Sequence, residues 1–284
     1  MYHREMRFAV DTGGTFTDLV VEDEQRHLHM YKAPTTPEDA GRGVLDALGV
    51  AASDLGAADV AALLGGCDLF IYATTLATNA ILTGRAARTA FVTTHGHRDV
   101  LLMREAGRFG IPTFDWSVPY PEPIVPRALT FEMVERIGAA GEVVMPLDED
   151  EAAKTIEAIA EAGVEAVGVC LLWSIANPVH ELRVGELLRA RLPSLAVTLS
   201  HVLNPSLREY RRASSACIDA SLKPLMAAHI DDLARRLGES GFAGRLVVAN
   251  SQGGVMDAAD AARAPIHCIK SGPAMAPVAG RFFA

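Results

Sequence analysis

Residues 8–24 read FAVDTGGTFTDLVVEDE. Within them Asp11-Thr12-Gly13-Gly14-Thr15-Phe16-Thr17-Asp18 sets an acid at each end of a run of glycines and threonines. An apolar run, Arg7-Phe8-Ala9-Val10, leads in, and a second, Leu19-Val20-Val21, leads out. His27-Leu28-His29-Met30-Tyr31-Lys32 follows a polar turn at residues 22–26. This strand, turn, strand, turn, strand order predicts a β-meander. It excludes a Walker-type loop, which must lead into a helix. A hairpin turn alone would explain the glycines, since they supply positive φ between strands. It would not explain acids at both ends with hydroxyls between them. A phosphate cradle explains both: glycines let backbone N–H groups approach an anion, threonine hydroxyls donate to its oxygens, and Asp11 at a strand end can hold a magnesium ion through water.

The bulk numbers agree with a small anionic ligand rather than a polyanion. The 284 residues exceed what one core usually needs, so two domains or subdomains are expected. A net charge of −9 and a pI of about 5.5 argue against nucleic acid as a partner. Cys67, Cys170, Cys217 and Cys268 stand far apart without a CxxC pair and read as reduced core residues. MYHREMRFAV lacks the apolar core of a signal peptide, and no later stretch reaches the length of a membrane span. A soluble, cytoplasmic protein is expected.

Further along, Thr35-Thr36-Pro37-Glu38-Asp39 predicts a helix start with a hydroxyl cap, the helix stopping near Gly49. A short helix over 58–64, a strand over 69–72 that ends in Ala73-Thr74-Thr75, and a helix over 76–82 follow. Residues 88–94 read as a strand, and His95-Gly96-His97-Arg98-Asp99 opens another helix. GRFGIPTFDWSVPYPEPIVPR, residues 107–127, holds five prolines and reads as a long ordered crossing segment. A second α/β unit follows: strands over 131–137, 166–172 and 196–199, helices over 148–162 and 178–192, then one long helix or a broken pair over 206–237. The last clear strand covers 246–249, and IKSGPAMAPVAGRFFA starts a helix. Alternating strands and helices imply an α/β architecture with a mixed sheet. No internal repeat is visible.

The strand–DTGGTFTD–strand arrangement resembles the first phosphate loop of the sugar kinase, actin and heat-shock chaperone ATPase superfamily. The ordered blocks ATTLATNAILTGRAARTAFVTTHGHRDVL, PEPIVPR, TFEMVERI, GEVVMPLDED, VGVCLLWSIANPVHELRV, SHVLNPSLREYRRAS, NSQGGVMDAADAA and SGPA narrow the resemblance. They are similar to the hydantoinase A, 5-oxoprolinase and acetone or acetophenone carboxylase family over essentially the whole chain. That resemblance implies an actin-like, RNase H-like mixed sheet with a β-meander phosphate loop, plus a second α/β subdomain. It implies an enzyme using ATP with magnesium or manganese to phosphorylate a carbonyl-derived oxygen, opening a cyclic amide or activating a ketone for carboxylation. A non-catalytic structural or regulatory subunit that keeps the fold is the rival reading.

Carried over residue by residue, Asp11 is the metal-linked catalytic carboxylate. Gly13, Gly14, Thr15 and Thr17 contact phosphate, and Asp18 braces the turn or the metal's water shell. Thr74, Thr75 and Asn79 match the family's TTxATN block, where hydroxyls and an amide can meet an anion or a substrate oxygen; a plain helix cap explains them as well. The family's usual His-Gly before that block is Tyr72-Ala73 here. Gly253-Gly254 in NSQGGV and Ser271-Gly272 in SGPA match later cleft-facing blocks, with a turn and a helix start as their ordinary alternatives. The resemblance divides the chain into 1–106, a phosphate-binding subdomain, 107–200, the crossing segment with a second α/β unit, and 201–284, the start of a second hydantoinase A-type domain. No second aspartate-glycine-glycine-threonine loop follows SGPA within these 284 residues, so the resemblance implies that the other half of the nucleotide clamp is supplied from elsewhere. It is expected from a C-terminal continuation or a partner subunit of the hydantoinase B type, without which little turnover is expected.

Three other groups carry less. His95, His97 and Asp99 could suggest a metal site, but a loop with an Asp99 helix cap reads better. Arg104, Glu105 and Arg108 could reach a substrate carboxylate or simply line an amphipathic helix face. No Ser/His/Asp set stands out as a triad.

Overall fold

Alternating buried and exposed residues along Met6–Thr12 (β1) and Phe16–Glu22 (β2) put Phe8, Val10, Leu19 and Val21 on one face of a sheet. With Leu28–Pro34 (β3) they form the expected antiparallel meander, in which Asp11 faces Asp18 and Thr12 faces Thr17. The structure, a computed structural model, describes residues 6–36, 39–106, 112, 115, 117 and 122–283.

The first helix, Ala40–Asp54 (α1), is capped by Asp39, whose carboxylate accepts from the Arg42 N–H at 3.2 Å. The cap therefore lies beyond Thr35 and Thr36; Pro37 and Glu38 are outside the described residues. The helix also runs through Gly49, because Leu48, Ala51 and Ala52 continue its buried stripe against the sheet and packing outweighs the poor propensity of one glycine. Gly43 allows this seat: a Cβ there would lie 2.7 Å from the Thr17 hydroxyl and 3.2 Å from the Pro34 carbonyl. Val60–Leu64 (α2), Cys67–Thr74 (β4) and Leu76–Leu82 (α3) follow, with β4 parallel to β1.

The next compact unit spans 86–224. Its strands are Thr89–Thr94 (β5), Thr130–Met133 (β6), Arg136–Ile137 (β7), Val143–Met145 (β8), Ala166–Cys170 (β9) and Ala196–Leu199 (β10). Its helices are Val100–Met103 (α4), Glu149–Glu161 (α5), Val179–Arg191 (α6), Ser200–Leu203 (α7) and the first half of Glu209–Glu239 (α8). The sheet β10-β9-β5-β6 is all parallel, and β5 and β9 are buried along their whole length, as strands covered on both faces must be. Ala90, Val92, Val167 and Val169 meet α5 and α6, while Phe91 and Cys170 meet Ala213 and Cys217 of α8 on the other face. Gly168 admits that helix, since a Cβ there would sit 2.8 Å from the Cys217 backbone nitrogen. The expected strand over 131–137 divides into β6 and β7 where Glu135 turns inward to accept from the Thr94 hydroxyl and bond His180 at 2.8 Å. Glu181 is fully buried and collects the Leu171 N–H at 2.8 Å, the Ser200 hydroxyl at 3.0 Å and both the N–H and ring of His201. Most of residues 107–127, Arg108 included, lie outside the described residues.

Residues 225–284 return to the first unit. The second half of α8 adds Leu233 and Leu237 to its core, and Arg245–Ala249 (β11) pairs parallel to β4. Val255–Asp257 (β12), Ala258–Arg263 (α9) and Ser271–Phe283 (α10) complete it, giving the order β12-β11-β4-β1-β2-β3. Chain contacts thus group the molecule as 1–85 with 225–284, and 86–224, rather than in linear pieces cut at 106 and 200, because β11 returns to the sheet that β4 began. The segment expected as one helix or a broken pair is one helix, α8, which starts at Glu209 and carries Pro224 inside it. All four cysteines are buried, and burial pushes the thiols of Cys67 and Cys170 up to about 12. Among the described residues no helix is long and apolar enough to cross a membrane.

Candidate functional site

The meander loop closes through a bond from the Gly13 N–H to the Phe16 carbonyl at 3.0 Å, and Thr35 N–H ties β3 to the Thr15 carbonyl at 2.9 Å. Neither Gly13 nor Gly14 adopts the positive φ that a glycine hairpin would supply. A Cβ on Gly13 would lie 3.3 Å from the Phe16 carbonyl, whereas one on Gly14 would meet nothing within 4 Å. The missing side chain at Gly14 therefore serves neither backbone conformation nor internal packing. It leaves backbone open to whatever occupies the space above the loop.

That space is a cavity of about 200 Å³. Thr12, Gly13 and Gly14 line it from the loop, Thr35 and Ala40 from the approach to α1, and Thr74 and Thr75 from the end of β4. Leu76, Asn79 and Ala80 of α3, Arg85 just beyond it, and Leu225 of α8 close it. β1 and β4 run parallel in register, Thr12 beside Thr74, so their ends deliver hydroxyls together; the Thr75 N–H reaches the Thr12 carbonyl at 3.4 Å. The Thr74 hydroxyl accepts from Leu76 N–H at 3.1 Å, and the Asn79 amide donates to the Thr75 hydroxyl at 3.1 Å. The buried Thr12 hydroxyl interacts with the Tyr72 hydroxyl without reaching full hydrogen-bond geometry, which leaves it capacity for a further partner. Beneath it the buried Tyr72 hydroxyl bonds the His229 ring at 2.8 Å.

Of the residues expected from sequence, Gly13, Gly14, Thr74, Thr75 and Asn79 come together around this cavity. Thr17 does not line it: its buried hydroxyl bonds that of Thr35 at 2.9 Å, so it supports a lining residue from behind. Thr15 is exposed on the loop. Asp11 and Asp18 face each other across β1 and β2, outside the lining. Asp18 pairs with Lys32 at 3.0 Å. Partial burial first, and the Asp18 charge second, raise the Asp11 pKa above the ordinary carboxylate value. A divalent cation would relieve that strain. One or two carboxylates completed by water and phosphate oxygens is the donor set magnesium takes, so Asp11 fits it. Among the described residues there is no group of three or more His, Cys, Asp or Glu that could hold a metal, and His95 and His97 form no such site. The Asp99 carboxylate is taken by Arg127 rather than used as a helix cap.

Gly253 and Gly254 form the turn between β11 and β12, with the Asn250 side chain accepting from the N–H groups of Gln252 at 3.0 Å and Gly254 at 3.1 Å. Gly253 has φ +77° and would press a Cβ to 3.0 Å from the Ala274 carbonyl, so local geometry accounts for it. Ser271 is buried at the start of α10 and Gly272 is exposed; neither lines the cavity. Glu105 is engaged by Arg208 and Arg211 at 3.6 and 3.4 Å, in the 86–224 unit. Sequence reasoning missed Thr12, Thr35 and Arg85. The first was visible inside DTGGTFTD; the other two lie outside the loop and are brought in only by folding.

Residues 7–192 match the model of the hydantoinase/oxoprolinase N-terminal region, and residues 212–280 match that of hydantoinase/oxoprolinase. The chain is 33% identical to caprolactamase subunit alpha of Pseudomonas jessenii over 280 residues, covering 99% of this chain and 40% of that protein. It is 34% identical to acetophenone carboxylase gamma subunit of Aromatoleum aromaticum, covering 87% of this chain and 35% of that protein. The crystal structure of the ATP-dependent caprolactamase from Pseudomonas jessenii superposes with a TM-score of 0.84 at 33% identity, over 96% of this chain and 40% of that one. The chain thus spans about two fifths of the length of these relatives. With its glycine-loop meander inside a mixed α/β fold and both family regions in order, the chain belongs to the hydantoinase/oxoprolinase family.

Proposed function

We propose that this chain is the ATP-binding part of an enzyme subunit that phosphorylates a carbonyl-derived oxygen to open a cyclic amide. The observation that carries the reading is Gly14, whose missing side chain has no internal cause and which borders a cavity walled by hydroxyls, an amide and a guanidinium. Kinship with a caprolactamase subunit and an ATP-dependent caprolactamase structure supports both the nucleotide and the amide. The order β3-β2-β1-β4-β11, two antiparallel pairings followed by two parallel ones, supports an actin-like, RNase H-like sheet. In this reading Asp11 holds a hydrated magnesium or manganese ion, which supplies neutralising charge when bound. The loop N–H groups and the threonine hydroxyls orient the phosphates. Likeness to an acetophenone carboxylase subunit favours a second reading, in which the oxygen belongs to a ketone enolate that is then carboxylated.

The relatives are named as subunits, which supports a partner of the hydantoinase B type, with a further clamping segment completing the nucleotide site. In the assembled complex Asp11→Ala is expected to lower ATP hydrolysis by about a hundredfold or more, with an unchanged circular dichroism spectrum. Undiminished turnover would overturn the proposal. ADP release that depends on a lactam, or on a ketone with bicarbonate, separates the two substrate classes; bound ATP with no release under either condition would mark a non-catalytic subunit.

A further inference from the structure

Among the described residues lining the cavity, Arg85 alone carries a charge. Its position is set by how α3 ends. Gly84, at φ +68°, turns the chain out of the helix, its N–H donating to the Ile81 carbonyl at 3.3 Å, while the Arg85 N–H donates to the Ala80 carbonyl at 2.8 Å. This pair of bonds, from the second and third residues past the helix, is the Schellman arrangement, and the left-handed residue is the glycine that arrangement favours. The side chain is fixed as well. Arg85 Nε donates to the Thr83 hydroxyl at 3.1 Å, and that hydroxyl donates to the Asn79 carbonyl at 2.7 Å. The two terminal nitrogens have no hydrogen bond or ion pair among the described residues. A guanidinium held by its Nε, with both terminal nitrogens unused at the mouth of a hydroxyl-lined cavity, is ready to take an anion in bidentate fashion. The same cavity is lined by the bare backbone of Gly14 and by Thr12, whose buried hydroxyl makes no geometrically complete hydrogen bond.

We infer that Arg85 is a phosphoryl-binding residue. Its fork grips two oxygens of the phosphoryl group that the glycine loop receives from the other side. The inference rests on the phosphate-site reading above and deepens it. Asp11 lies outside the cavity lining, so the cationic grip on the phosphoryl group comes from the turn after α3 while the carboxylate that suits a metal comes from β1. The guanidinium is oriented by one partner, the Thr83 hydroxyl, itself anchored on the Asn79 carbonyl, which lowers the ordering needed on binding.

The test is calorimetric titration of the assembled complex containing this chain with three probes: ATP in magnesium, inorganic phosphate, and adenosine. Arg85→Ala is expected to weaken ATP and phosphate by about ten- to a hundredfold and leave adenosine unchanged. Arg85→Lys, which keeps the charge and loses the fork, should fall between. Thermal unfolding of both variants checks folding, since the Arg85 side chain is exposed and its backbone bonds survive either change. ATP affinity in Arg85→Ala equal to wild type overturns the inference and leaves the phosphate site standing. Equal losses for ATP and adenosine also overturn it, because they mark a structural role. A wild-type assembled complex that binds neither ATP nor phosphate overturns both the inference and the reading beneath it.

Discussion

Gly13, Gly14 and Gly253 look alike in sequence and differ in what holds them. Gly253 is required by its positive φ and by the Ala274 carbonyl, and Gly13 by a close carbonyl. Gly14 alone has neither cause. A Gly14→Ala substitution is therefore expected to change stability by less than about 0.5 kcal/mol in urea unfolding, while lowering phosphate and ATP affinity about tenfold or more by projecting a methyl into the anion's place. A loss of both together would return Gly14 to the ordinary class of turn glycines. Asp11 tells a similar story through charge. Its carboxyl sits opposite that of Asp18, and both partial burial and that repulsion disfavour its ionised form, an arrangement that makes sense if a cation is to arrive. The loop's acids and glycines were legible because turn chemistry is local. Which of them owes its identity to a ligand was not, because that depends on what surrounds each Cβ.

Elements followed the sequence wherever side-chain periodicity was the deciding force. β1, β2, α5 and α6 all lie where their apolar patterns predict. The departures have packing causes: α1 passes Gly49 because its later turns are buried, and β6 ends where Glu135 turns in. The buried acids were invisible in sequence, since a glutamate in a helix such as α6 normally faces water. Glu181 is the sharper case. Burial opposes its charge, but hydrogen bonds from His201, Leu171 and Ser174 outweigh burial and hold its pKa below the usual carboxylate value. A depressed folded pKa means stability that is present above the ordinary carboxylate range and lost as pH falls through the folded pKa. Glu181→Gln, which does not titrate, is expected to be about 2 kcal/mol less stable at pH 7 and to show a shallower decline in urea midpoint below about pH 5. Parallel acid limbs in the two proteins would rule out this account.

At the scale of the whole molecule, one unit is contiguous and the other is assembled from both ends of the chain. The 86–224 unit contains a complete four-stranded parallel sheet with helices on both faces. The other needs β11 beside β4 and Leu233 and Leu237 in its core, none of which residues 1–85 supply. A fragment of residues 86–224 is expected to unfold cooperatively in urea, and a fragment of residues 1–85 to lack a cooperative transition. A folded 1–85 fragment would mean the meander and α1 suffice alone. By itself the sequence determined the meander, the placement of DTGGTFTD between strands, the α/β alternation and the family, because strand period, turn chemistry and ordered motifs are written within short stretches. Only the tertiary structure decided that Thr12, Thr35, Asn79 and Arg85 share one cavity while Gly253 and Ser271 do not line it. That grouping depends on the register of β1 on β4 and on a return of the chain at residue 225, and pairings between such distant segments leave no local trace.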